Sequence, residues 1–562
     1  MARARRDDRR RCRQLAGWLA ASLLVLPPAA VSDEGTAVDD PTPGLSVERI
    51  LGHLRALGSD AMEGRGTGTP GGERAAAYLE TRMAEIGLEP LGDDGGYRQA
   101  VPMHGSLPLP ESRLTLVDAG GEAHDLELWD DYVPFDTGAQ TFQPVQIPLV
   151  FVAYGIVAPE YDHNDYQRVE VAGRIAVVLA GEPPSTDDDF FEGAQPTVYS
   201  DPEMKFRTAL ARGARGAILL PSPREVAFVR WDDVLGAFQT EDLDLPYGLT
   251  GNLNLLLRFE RAPQLFAGAR HSFTEVLDLD RRGALGSFPL ESRASFTGVF
   301  RERDFLAHNL VGRLPGSDPL LRRNAVIVCA HYDHLGVGRP VDGDAIYNGV
   351  IDNASGTAVV LELARVLAAA PERPRRSIVF LFLTGEEKGL LGSRYYRDHP
   401  AVPLHRTVAA VNVDGISFID RSGEFVGVGA RFSTLGELLG ETLASLGLRH
   451  GSIPGLFQEL DPFYKSDQIA FAQAGIPAIL VMEGFGYASG ATGIRRFVEW
   501  GRNRYHTPFD DLEQPIDPEA VEQHATVLLA FVRRVADTFT EPRWLPGAPF
   551  LGARLRSLAE GT

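Results

Sequence analysis

Ala325-Val-Ile-Val-Cys-Ala-His331-Tyr-Asp333-His334 is an unbroken apolar run that ends abruptly in imidazole and carboxylate groups. Three more runs share this form. Ile378–Leu383 leads into Thr384-Gly385-Glu386-Glu387, Val408–Val413 into Asp414-Gly415, and Ala478–Met482 closes the series. Runs of this length with no polar alternation read as strands buried on both faces of a mostly parallel sheet. Helical stretches such as Gly356 to Ala370 lie between them. The pattern predicts an α/β fold with a mostly parallel or mixed central sheet flanked by helices. In such sheets the functional crevice lies beyond the carboxyl ends of the strands.

Upstream, apolar residues recur at helical spacing over Ser46–Leu57, and a second helical stretch covers Glu73–Ile86. The loop before the second contains Gly66-Thr-Gly-Thr-Pro-Gly71, which matches the dinucleotide fingerprint in spelling. A helix rather than a strand precedes it, so the context is wrong. Thr69 as N-cap with Pro70 at the first helical position is the simpler reading.

Residues 126–290 have a different texture, with short β-rich runs such as Ile147–Tyr154 and Gly173–Leu179 and no ligand cluster. They read as an inserted domain. The expected organisation is a leader over 1–32, a linker over 33–45, a first core part over 46–125, the insertion over 126–290, a second core part over 291–540 and a tail over 541–562.

The first 32 residues carry seven arginines, then a short apolar run from Leu15 to Leu26, then Ala30-Val-Ser32. That order is a secretory signal peptide. It predicts export to the periplasm or the exterior of a bacterial cell, with no stable membrane insertion after cleavage. The alternative is a retained N-terminal anchor. The chain of 562 residues has a net charge of −21 and becomes more acidic without this arginine-rich head, which argues against nucleic-acid partners. Of its two cysteines only Cys329 would survive cleavage, so no internal disulfide is expected.

Taken singly, the polar groups at the strand ends have ordinary explanations. Asp352 in Asn348-Gly-Val-Ile-Asp352-Asn353 could cap a helix, and Glu386-Glu387 could be a solvated pair. Together with Tyr505-His506-Thr-Pro508-Phe-Asp510 they converge on one crevice by topology. Imidazole and carboxylate without thiolate is a ligand set for zinc or a similar ion at a hydrolytic site. One bridging carboxylate with a His and an acid on each side would hold two ions roughly 3.5–4 Å apart. Neighbouring strand residues face opposite ways, so Glu386 and Glu387 share a site only if both lie past the strand end. One can then bind metal while the other handles protons.

These motifs resemble the zinc aminopeptidase family that includes aminopeptidase Y and the glutamate carboxypeptidases, and the middle region resembles the protease-associated domain often inserted there. The resemblance implies a zinc exopeptidase fold acting on peptide substrates with two Zn2+, for which Co2+ or Mn2+ could substitute. It implies that His331, Asp352 and Asp414 bind one ion and that Asp352, Glu387 and His506 bind the other. Glu386 is then the general base, Asp333 orients His331, and Tyr505 stabilises the oxyanion. A cis peptide at Asp352-Asn353 is implied as well. The chain departs from the family at Ile351, where Asp is common, and at Gln468, where the family carries a His expected not to ligate. Carboxypeptidase or N-acyl deacylase activity stays open, because Arg495, Arg496, Arg502 and Arg504 lie near His506. A non-catalytic peptide-binding protein is the remote alternative. Side-chain preference and oligomeric state are not set by these motifs.

Overall fold

The computed structural model describes residues 44–134, 141–187, 189–193, 197–228, 230–231, 234–235, 240–247, 251–453 and 462–561. The leader over 1–32 and most of the linker lie outside the described residues. Among those described, no helix is long and apolar enough to cross a membrane.

The first helix, α1 (Val47–Leu57), is capped by Ser46, whose hydroxyl accepts from the Arg49 amide. The second, α2 (Pro70–Ile86), begins with Pro70, and the Thr69 side chain accepts from the Gly72 amide. The glycine-rich loop is therefore a helix entry, as its context implied.

A ten-stranded mixed sheet forms the core. Its main strands are β1 (Arg98–Pro108), β2 (Asp242–Asp244), β3 (Phe300–Leu314), β4 (Ala325–His331), β5 (Ser377–Leu383), β6 (Thr407–Asn412), β7 (Glu424–Val428) and β8 (Ala478–Glu483). They lie in the order β2-β1-β3-β5-β4-β6-β8-β7. Strands β5, β4, β6 and β8 run parallel, and antiparallel strands flank them. Alternate residues of β5 serve opposite faces. Ile378, Phe380 and Phe382 pack beneath α1, α2, α3 (Gly356–Ala369) and α4 (Pro518–Asp537). Val379, Leu381 and Leu383 join the other layer with Phe471, Trp544 and Phe550. Both faces are thus covered, which is why these runs lack polar alternation.

The register brings the strand ends level. His331 of β4 pairs with Leu383 of β5, and Cys329 pairs with Asn412 of β6. The residues that follow each strand therefore emerge along one edge.

A second, eight-stranded sheet has its own apolar core around Phe151, Phe266, Phe288 and Phe296. It starts at Arg113 and ends at Thr297, beyond both expected bounds of 126 and 290, because Leu114, Leu116 and Ala294 bury into that core. One segment of this region leaves it: β2 pairs antiparallel with β1 of the main sheet.

Candidate metal centre

Each expected residue reaches the common edge by its own local device. His331 is the last residue of β4 and is fully buried. Past β5 the chain turns at Gly385 with φ +69°, a value that favours glycine. That turn lets consecutive residues Glu386 and Glu387 reach the same site. Asp352 lies in the irregular entry to α3, and its peptide bond to Asn353 is cis. Asn353 then clamps its surroundings: Nδ2 donates to Val413 O at 2.9 Å, and Oδ1 accepts from the amides of Gly356 and Gly415, each at 3.0 Å. This holds the Asp414 turn against the start of α3.

The two oxygens of Asp352 face different partners. Oδ1 is 3.4 Å from His331 Nε2, and Oδ2 is 3.1 Å from His506 Nε2. Around His331 Nε2 also stand Asp414 Oδ1 at 3.2 Å and Glu386 Oε2 at 4.0 Å. Around His506 Nε2 stands Glu387 Oε2 at 3.2 Å. The ligand atoms of His331, Asp352 and Asp414 cluster as one donor set and those of Asp352, Glu387 and His334 as a second, sharing the Asp352 carboxylate, with His506 Nε2 beside Asp352 and Glu387. Tyr505 stacks on His506 with ring centroids 3.9 Å apart.

Asp333 meets the His331 ring through two groups and also braces the Glu386 turn. The nearer partner of His331 Nδ1 is the Asp333 backbone carbonyl at 3.2 Å, with the carboxylate at 3.8 Å. That carboxylate accepts from Thr67 Oγ1 at 3.0 Å and from the Glu386 amide at 3.2 Å. It fixes the Glu386 turn more directly than the imidazole.

Three residues at the centre were not singled out from sequence. His334 Nδ1 lies 2.6 Å from Glu387 Oε1, while its Nε2 is buried without a hydrogen-bond partner. A second histidine three residues after His331 was the available signal. Asp510 accepts from the amides of Ile351 and Asp352 at 3.1 Å, so it pins the loop that carries Asp352. Arg65, fully buried, donates to the carbonyls of Tyr332, Leu57, Asn348 and Gly349 at 2.6–2.8 Å. Asp510 closes the Tyr505–Asp510 stretch but nothing local gave it a role of its own, and Arg65 had no local signal. Gln468, by contrast, bonds Asn412, Pro462 and Phe463 through its amide.

The electrostatics describe a site short of positive charge. Burial disfavours a charged His506 ring, yet Glu387 and Asp352 outweigh it and raise its pKa to about 10. His331 is likewise raised, against burial, by Glu386 and Asp414. Burial would raise Glu387, but His506 and His334 pull it down to about 2. Buried carboxylates that demand this much protonation from their neighbours suit a bound cation. The donors fit zinc: imidazole nitrogens and carboxylate oxygens without thiolate.

The centre floors a cavity of about 910 Å3. Thr240, Asp242 and Glu203 from the second-sheet region line one wall, and Phe418, Phe497, Trp500 and Glu483 line another. Of the arginines near His506 in sequence, none of Arg495, Arg496, Arg502 and Arg504 lines it.

Fold and site together define an α/β protein built around a candidate metal centre at the carboxyl edge of its sheet. Residues 309–532 match the model of Peptidase family M28, and the chain carries a domain of that family. Aminopeptidase YwaD of Bacillus subtilis is 29% identical over 231 residues, 39% of this chain and 42% of the relative. Leupeptin-inactivating enzyme 1 of Streptomyces exfoliatus is 29% identical over 223 residues, 38% of this chain and 45% of the relative. The matched region thus spans less than half the length of these curated relatives. Among solved structures, the aminopeptidase from Aneurinibacillus sp. strain AM-1 shares the fold, with a TM-score of 0.51 at 19% identity over 89% of this chain and 98% of that one.

Proposed function

We propose that the protein is an exported, two-zinc aminopeptidase that removes N-terminal residues from peptides. The single observation that carries the reading is Asp352, whose two carboxylate oxygens each face a different imidazole with its own further acid. His331, Asp352 and Asp414 would hold one ion, and Asp352, Glu387 and His506 the other. When bound, such a pair lowers the pKa of a coordinated water and polarises the scissile carbonyl.

The chain's own groups supply the rest. Glu386 accepts the water proton at its carboxylate and returns it to the departing amine nitrogen. Its Oε2 lies 4.0 Å from His331 Nε2, farther than Asp414 Oδ1 at 3.2 Å or Asp352 Oδ1 at 3.4 Å. Asp333 steadies that turn through the Glu386 amide. The Tyr505 hydroxyl donates to the carbonyl oxygen as negative charge develops there. Acidic groups around the cavity floor suit a protonated substrate amine. We read the second sheet as the protease-associated insertion and the arginine-rich head as an export signal.

The test is hydrolysis of an amino-acid p-nitroanilide panel by purified protein, with chelator and zinc add-back. Chelator-sensitive release from free-amine substrates, and none from their N-acetyl forms, is the expected result. Release only from N-acylated or free-carboxylate substrates would replace the reading with deacylase or carboxypeptidase activity. The latter would draw on Arg207, Lys388 or Arg394, which line the cavity.

A further inference from the structure

Glu483 ends β8 on the same sheet edge as the metal centre and lines the same cavity, yet the mechanism above does not use it. Along β8, Ile479 and Val481 pack into the core layer that contains α4, while Leu480 packs into the other. Glu483 shares the parity of Ile479 and Val481, so alternation directs it to the α4 side. There Ile416, Phe418, Phe497, Trp500 and His524 also line the cavity.

Glu483 as a whole is 7% exposed. Its Oε1 accepts from the Tyr487 hydroxyl at 2.5 Å, but Oε2 is buried without a hydrogen-bond partner. Among the described residues no lysine or arginine forms an ion pair with it. The imidazole on this wall does not serve either. His524 Nδ1 accepts from the Ser417 amide at 2.8 Å, and Nε2 faces Val481 O at 3.2 Å, an arrangement that holds the ring neutral. Asp420 on the neighbouring loop adds a like charge.

A buried carboxylate left half-satisfied is costly unless something completes it. Burial pushes its pKa up to about 7; the nearby Ser417 hydroxyl, which also lies 3.2 Å from His524 Nδ1, and the Tyr487 hydroxyl only partly oppose this. Around it the wall is apolar and aromatic. That combination suits a side chain with a long aliphatic stem and a cationic tip. The stem would lie along Ile416 and Phe418, and the tip gains both a charge-assisted hydrogen bond and the faces of nearby aromatic rings.

We propose that Glu483 is a specificity residue that receives the cationic side chain of a lysine or arginine at the substrate's N-terminal position. The assignment of that position rests on the aminopeptidase reading; the preference for a basic side chain does not.

The test compares zinc-loaded enzyme on lysyl, arginyl and norleucyl p-nitroanilides, norleucine being lysine without its ammonium. Wild type should favour lysine over norleucine by about tenfold or more in kcat/KM. In Glu483→Gln the ratio should collapse toward one, because the amide keeps the shape and loses the charge. Equal turnover of lysyl and norleucyl substrates by wild type, or an unchanged ratio in the variant, overturns the assignment. Calorimetric binding of L-lysine and L-norleucine to the same proteins reads the preference without turnover. Tighter lysine binding that Glu483→Gln abolishes, with no p-nitroanilide hydrolysed, would sink the aminopeptidase reading and keep the basic pocket. Equal binding of the two would sink the pocket whichever activity is found.

Discussion

Replacing Arg65 by alanine removes a donor from four backbone carbonyls at once. The guanidinium reaches Tyr332 O at 2.7 Å, Leu57 O at 2.8 Å, Asn348 O at 2.6 Å and Gly349 O at 2.7 Å. Tyr332 lies between His331 and Asp333, and Gly349 leads into the Asp352 loop, so one side chain joins two ligand-bearing segments. Each stranded buried carbonyl costs about 1–3 kcal/mol. Part of that is offset because a buried cation is itself unfavourable: burial lowers the Arg65 pKa to about 10, with Asp510 and Asp333 opposing the effect. The net loss should be about 3–5 kcal/mol, the range for leaving buried partners uncompensated. Arg65→Lys should fall between, since three ammonium donors cannot reproduce a planar fork with four acceptors. Urea unfolding of chelator-treated protein, followed by tryptophan fluorescence, measures the stability. Chelator competition measures zinc affinity, which should weaken about 10- to 100-fold through displaced ligands. Stability within about 1 kcal/mol of wild type, with zinc affinity unchanged, would refute the claim that Arg65 holds the two segments together.

Other expectations are simpler to state. Glu386→Gln should retain zinc by elemental analysis yet lose about 10²- to 10⁴-fold in kcat, the usual worth of a positioned acid–base group; Asp352→Ala should lose most of its zinc. Asp510→Ala leaves the amides of Ile351 and Asp352 unpaired and should cost about 2–4 kcal/mol in chemical denaturation, with weaker zinc binding. His524 gives a pH signature. Its ring is held neutral in the fold by burial, with a pKa of about 4 against 6.5 when unfolded. The unfolded chain therefore takes up a proton first, and stability should fall by roughly 3 kcal/mol as pH drops from about 6.5 to about 4. Denaturation of chelator-treated wild type and His524→Gln across that range checks this, and the variant should lose that part of the slope.

The parallel strands and the ends at which chemistry gathers could be read directly. Apolar runs such as Ile378–Leu383 are covered on both faces, so composition alone marks them, and a polar group just beyond one stands out. His331, Asp352, Glu386, Glu387, Asp414 and His506 were found by that logic together with the family resemblance, and the structure brings them into one cluster. The Thr69–Pro70 helix entry was equally local.

What stayed hidden has one physical cause. Arg65 and Asp510 act on the Asp352 loop, from which they are far separated in sequence, and their value lies in hydrogen bonds that exist only after the chain has closed on itself. Glu483 closes an apolar run like any residue entering a turn; only tertiary packing leaves one of its oxygens buried and unpaired. Short-range pattern thus determined the sheet, its functional edge and the residue types gathered there. Long-range contact decided which backbone groups hold those residues in place and which wall of the cavity carries an unanswered charge.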